Sequence, residues 1–278
     1  MVRGAVMIRW FVQRWTLWVG LLVLVYMFVP IYYVVRLSFD QSRGRLDYDL
    51  NGTFTTEYWR AALQPGEMRD AVVNSLVIGL GATAVATILG TLLSFALVRH
   101  RFRGRKPLNL LIFLPMATPE VVMGSSLLAL FISAGIPLGF VTVLIAHILF
   151  CVSFVVVTVK ARLAGMDPRL EEAAMDLYAS ERQTFLRVTL PLVAPGILAA
   201  ALLSFSLSFD DFIITNFNTS STFATFPMFV WGSSLRGIPR EVNVVGTIMF
   251  LVAFLIVAVG EFLSWRRRAA QRAALRTG

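Results

Sequence analysis

The sequence predicts an all-α polytopic membrane protein with six transmembrane helices. Three observations carry that expectation. The 278 residues are 57% hydrophobic, and their mean hydropathy of +0.74 lies outside the soluble globular range. The apolar residues gather into runs of about twenty, long enough as helices to cross ~30 Å of hydrocarbon. The charged residues gather into the joints between those runs.

Taken in order, Arg3, Arg9 and Arg14 precede span one, about residues 16–39. This run is longer than a secretory-signal core and lacks a small-x-small cleavage site, so it is expected to stay as an anchor. A polar segment from Asp40 to Asp70 leads to span two, 71–98. There Ala82, Ala86, Gly90 and Ser94 recur every four residues, a ridge suited to close helix contact in lipid. The joint that follows holds Arg99, Arg101, Arg103, Arg105 and Lys106. Span three covers 108–133 and span four 138–158. A charged island precedes span five, 192–215, and a polar and aromatic segment precedes span six, 244–265. Arg266, Arg267, Arg268, Arg272 and Arg276 follow. The expected division is 1–69 as a first helix with an external segment, 70–264 as a five-helix core, and 265–278 as a basic cytoplasmic tail.

The net charge of +9 raises nucleic acid as a partner, but the distribution is that of a topology signal. With the N-terminus in the cytoplasm, 18 of the 25 Lys and Arg residues are cytoplasmic and 7 external, as the positive-inside rule requires. Six spans then return the C-terminus to the cytoplasm. The island between spans four and five lands there as well. The lone Cys151 excludes a disulfide framework. His100 and His147 stand far apart, which argues against a metal site. No phosphate loop of the Gly-x4-Gly-Lys-Ser/Thr kind is present.

In the island, Glu171, Glu172, Asp176 and Glu181 cannot sit in hydrocarbon. Ala173, Ala174 and Ala179 would let a short amphipathic helix approach another surface closely. Pro191 and Pro195 mark the entry to span five, since proline is tolerated in a first helical turn. The segment reads as a docking element for a soluble partner; the alternative is a solvated loop helix.

Asp210 and Asp211 lie on an otherwise apolar span, where acids by default mark a function. Counted from Pro191, they sit roughly 28–30 Å along a continuous helix, in the outer half of the membrane. Ser204, Ser208 and Asp211 share one face, and Ser206 and Asp210 another, as in a span that lines a cavity. Alternatively span five ends early and both acids are in water. Glu120 follows Pro115 and Pro119 in span three, where two prolines open the backbone ladder. A broken helix bearing a charge is typical of substrate passages; the alternative is an acid in the first turn of a new helix. Three acids with no lysine on these two spans favour a cationic solute. A membrane-embedded enzyme using the aspartates fits poorly, because adjacent residues project about 100° apart on a helix. The Gly-x-Gly-Asp signature of intramembrane proteases is also absent.

Glu172-Ala173-Ala174, a turn residue at Tyr178, and Val188 two positions before Leu190-Pro191 resemble the cytoplasmic coupling motif of ABC importer permeases. Four further stretches are similar to spermidine/putrescine permeases of that family: Leu114 to Glu120, Phe154 to Val159, Ser208 to Phe212, and Gly237 to Asn243. The likeness covers roughly residues 70–264. It implies a type I, MetI-like core with a coupling helix at about 168–180, in which Glu171, Glu172, Ala173, Ala174, Asp176 and Tyr178 meet an ATPase subunit. Glu120, Asp210, Asp211 and Ser208 would then lie on the substrate path. The implied partners are a homologous second permease, two ATPase subunits that hold ATP and Mg, an external solute-binding protein and the lipid bilayer. The chain itself would bind no cofactor and no nucleic acid. The implied setting is a bacterial inner membrane, with polyamines or another small solute as cargo; an ATP-independent carrier is the remaining alternative. The family has Gly where Tyr178 stands. If that position is left-handed, tyrosine costs roughly 1–2 kcal/mol, so the helix either ends differently or is strained.

The charge count generates a topology test. A reporter inserted beside Arg101 is expected to read as cytoplasmic and one beside Thr222 as external; the reverse pattern would overturn the orientation.

Overall fold

A computed structural model of the chain describes residues 14–41 and 53–277. Arg3 and Arg9 lie outside the described residues. The helices are α1 (Trp15–Ser38), α2 (Glu57–Ala61), α3 (Glu67–Arg99), α4 (Arg105–Ala117), α5 (Glu120–Ser133) and α6 (Phe140–Ala164). They continue as α7 (Arg169–Asp176), α8 (Glu181–Thr184), a π-helical turn (Phe185–Thr189), α9 (Leu190–Phe209), α10 (Ile213–Asn218), α11 (Phe226–Ser234) and α12 (Arg240–Thr277). Among the described residues, β structure is limited to one bridge between Asp40 and Phe54.

Five helical segments are long and apolar enough to cross a membrane: Trp15–Ser38, Glu67–Arg99, Phe140–Ala164, Glu181–Phe209 and Arg240–Phe262. Span three is broken, as its prolines predict. It is two helices, α4 and α5, bent by 110° at their junction. The cause is local. Pro119 lacks an N–H and pushes the residue before it into extended backbone; Thr118 sits at φ −86°, ψ 133°. The bent pair still runs the length of α6. At one end Lys160 Nζ donates to Asn109 Oδ1 at 2.6 Å. At the other, residues 134–139 join α5 directly to the start of α6. The 25 residues of α6 rise about 37 Å, so the pair counts as one crossing.

Two further boundaries differ from expectation. Span five ends at Phe209 rather than 215, and a separate short helix follows. The segment 265–278, expected as a tail, continues the helix of span six to Thr277.

The chain forms two compact units, residues 65–232 and the two flanks 1–64 with 233–278. In the flanking unit α1 packs on α12, although α12 was counted with 70–264 on sequence. Phe28 meets Phe250 edge to face at 6.4 Å, and Gly246 lies so close to Val34 that a Cβ would be 3.2 Å from its Cγ1. Every residue from Trp15 to Pro30 is exposed. An apolar helix with so little cover belongs against lipid or another subunit.

The other unit is built around α6. The small-residue ridge of α3 lies against it, with Ala82, Ala86 and Ser94 fully buried. The Ser94 hydroxyl lies 2.7 Å from Gly90 O and 3.1 Å from Val156 O, bridging the two helices. Phe150, Val155, Val193 and Ile214 extend the same core to α9 and α10. At Gly90 an added Cβ would stand 2.6 Å from Val155 Cγ1. Gly90→Ala is therefore expected to destabilise by about 1–3 kcal/mol through overpacking, although alanine is the better helix former by about 1 kcal/mol. Gly232→Ala, inside α11 with nothing within 4 Å, is the control, expected to stabilise by up to about 1 kcal/mol. Thermal unfolding of the purified protein checks the sign.

Candidate functional site: helix breaks and coupling helix

The end of α9 separates its two polar faces. Ser204, Ser208 and Asp211 are buried, whereas Ser206 and Asp210 are exposed. Asp210 is the C-cap residue of α9, and the backbone then turns before α10 begins. Asp211 points inward and closes that helix start. Its Oδ1 accepts from Ile214 N at 3.2 Å, and its Oδ2 accepts from Thr215 N at 2.8 Å and Thr215 Oγ1 at 2.9 Å. These N–H groups have no partner within their own helix.

His147, in the middle of α6, completes the arrangement. Its Nδ1 lies 2.7 Å from Ser208 Oγ and its Nε2 2.9 Å from Thr215 Oγ1. The same Nε2 is 3.3 Å from Asp211 Oδ2. Because the Thr215 hydroxyl donates to Asp211, its oxygen can only accept from His147, which puts a proton on Nε2. One turn deeper, Cys151 Sγ donates to Ser204 O at 3.5 Å. His147 is isolated along the sequence, and the fold brings it to Asp211. The signal was present: an ionisable residue alone inside an apolar run.

The break in span three is tied to the same place. Asn218 Nδ2 donates to Gly124 O at 3.3 Å and to Ile214 O at 2.8 Å. Phe217 lies over Gly124, where a Cβ would be 2.9 Å from its Cδ2. The α5 start is thereby held beside α10. Glu120 is exposed in the first turn of that same α5. Among the described residues, no lysine or arginine pairs with Glu120 or Asp210.

At the other end of the unit, α7 spans eight residues, shorter than the expected 168–180. Its two leading glutamates divide. Glu171 turns inward, where Oε1 accepts from Arg99 at 2.9 Å and from Thr189 Oγ1 at 2.7 Å. Glu172, Ala173 and Asp176 are exposed, and Ala174 is half-buried. Of the two glutamates expected to meet a partner, Glu171 also has its carboxylate engaged within the chain. A cleft of about 430 Å³ beside it is lined by Phe95, Arg99, Glu171, Met175, Phe185 and Thr189.

The helix ends in a Schellman motif. Ala179 N donates to Ala174 O at 3.1 Å, and Tyr178 N to Met175 O at 2.9 Å. Tyr178 occupies the left-handed position, at φ 64°, with its side chain 99% exposed.

A family described as "Binding-protein-dependent transport system inner membrane component" matches residues 71–270. The chain belongs to this family. Among its relatives, the spermidine/putrescine transport system permease protein PotC of Escherichia coli (strain K12) is 36% identical over 239 residues, covering 86% of this chain and 89% of the relative. The putrescine transport system permease protein PotI of the same organism is 33% identical over 258 residues, covering 90% and 89%. Among solved structures, a bacterial ABC transporter involved in importing the acidic polysaccharide alginate has a chain that aligns with TM-score 0.68 at 16% identity. The alignment covers 94% of this permease and 98% of that chain. An amino acid ABC transporter aligns at TM-score 0.57 and 16% identity, covering 72% and 93%. The all-α, MetI-like importer fold expected from the sequence is thus the fold observed.

In this permease the coupling-motif turn keeps its left-handed geometry without the glycine. Tyr178→Gly is expected to stabilise α7 by about 1–2 kcal/mol, read as slower hydrogen exchange of its amides. Tyr178→Val, branched at Cβ, shifts them the other way.

Proposed function

We propose that this permease subunit moves polyamines inward across the membrane as part of an ATP-driven importer, and that Glu120 and Asp210 line their path. The observation that carries the reading is two exposed, unpaired carboxylates, each at a helix break, with the helices that follow the two breaks in contact through Gly124, Phe217 and Asn218. A polyamine is a flexible apolar chain bearing ammonium groups. Carboxylates at breaks in apolar helices offer it charge without a competing lysine or arginine. The names of the relatives, PotC and PotI, point to the same class of cargo.

Asp211 and Ser208, expected on the path, take a different role in this reading. Both are buried and engaged, so they support the turn that presents Asp210. Alternating access would open the cavity around Glu120 and Asp210 first outward, then inward, as helices on either side of the breaks rock past one another.

ATP and Mg belong to two ATPase subunits that dock on α7. Leu170, Met175, Leu177 and Tyr178, all exposed, offer the apolar contact, and Glu172 and Asp176 the charge. A homologous second permease completes the membrane portion, and an external binding protein delivers the cargo. Both termini are cytoplasmic in this arrangement.

ATP hydrolysis by the reconstituted assembly, with its binding protein, tests the reading. Putrescine or spermidine is expected to stimulate it, and Glu120→Gln or Asp210→Asn to weaken the stimulation about tenfold or more, the loss of one charged contact. Stimulation by an unrelated solute alone would retain the importer and discard the polyamine. Glu172→Lys is expected to abolish stimulation while the binding protein still captures its cargo.

A further inference from the structure

Among the buried side chains of residues 65–232, His147 and Asp211 are the imidazole and the carboxylate, 1% and 8% exposed. They lie at the turn where a choice between two identical acids is made. Asp210 and Asp211 are chemically equal and adjacent. A shift of that turn by one residue would expose Asp211 and bury Asp210.

Several contacts hold the turn as it is. α10 has six residues, too few to persist by itself, and its exposed N–H groups are closed by Asp211. His147 then grips three points at once: Ser208 on α9, Thr215 on α10, and the Asp211 carboxylate between them. α10 in turn positions α5 through Asn218 and Phe217. The chain of contacts therefore runs from His147 to Asp210 on one side and toward Glu120 on the other. Stability alone accounts poorly for such a node, since replacing hydrogen-bonded buried partners together by apolar groups of the same shape can be nearly neutral or stabilising.

We infer that His147 is a positioning residue for transport: by clasping Ser208, Thr215 and Asp211 it sets the α9–α10 turn so that Asp210, rather than Asp211, is the exposed acid at this break. This rests on the acidic path proposed above.

The test is the number of putrescine molecules taken up per ATP hydrolysed by the complete transporter in proteoliposomes. A purely structural role would lower the amount of assembled transporter, reducing uptake and hydrolysis together and leaving the ratio unchanged. The positioning role predicts a ratio lowered roughly tenfold in His147→Ala, within the range of coupled neighbouring sites. His147→Gln, which keeps a donor near Asp211, recovers most of it. His147→Ala with Asp211→Asn is better than His147→Ala alone, because the stranded charge is gone. Should His147→Ala not assemble, Ser208→Ala and Thr215→Val each remove one arm of the clasp and are expected to lower the ratio by smaller factors. A normal ratio in both overturns the inference. If Asp210→Asn lowers the ratio and His147→Ala does not, the positioning role alone falls. If Asp210→Asn leaves it unchanged, the acidic path falls and takes the role of His147 with it.

Discussion

Backbone groups released where a helix breaks at membrane depth have no water to turn to, so a broken span persists only where protein satisfies them. This chain breaks two spans, and at the first Thr118 N and Oγ1 both donate to Leu114 O, closing the end of α4 locally. Asp211 caps α10, and Asn218 of α10 reaches back to Gly124 on α5. His147 on α6 holds the assembly from behind. The contact of Asn218 and Phe217 with Gly124 joins the elements on either side of the two breaks.

The twenty residues of α9 form a rod about 30 Å long between this site and the coupling end. At that end the rod begins in a π-helical turn, a feature often found at functional sites. Thr189 closes the turn and bonds to Glu171 of α7, which also holds Arg99 at the end of α3. One carboxylate thus ties the coupling helix to two spans. Movement of α7 would be delivered to α9 near its base and felt at its tip. The strained Tyr178 sits at the free end of α7, where it costs stability without disturbing that tie.

Much of the architecture was legible because hydrophobicity is a local property. Runs of about twenty apolar residues, basic joints and the four-residue ridge from Ala82 to Ser94 each describe a single helix. Five of the runs reappear as long apolar helices, and the ridge packs closely, on α6. The two polar faces of α9 were legible for the same reason, since a helical repeat places Ser204 and Ser208 together whatever surrounds them. Glu171 and Glu172 were not separable, because neighbours on a helix are told apart only by what lies opposite. Arg99 and Thr189 decide it, one 72 residues before Glu171 and the other 18 after.

By itself, then, the sequence determined that this is a six-span helical permease with a coupling helix, and that its unusual acids fall at residues 120, 210 and 211. Prolines, apolar runs and a short motif suffice for that, since each acts on the backbone around it. Tertiary structure decided that Asp210 is exposed and Asp211 buried, that His147 belongs with Asp211, and that the third span bends by 110°. Those outcomes depend on contacts across helices far apart in the chain. A hydrogen bond of 3 Å between distant helices leaves no trace in the spacing of residues along either one.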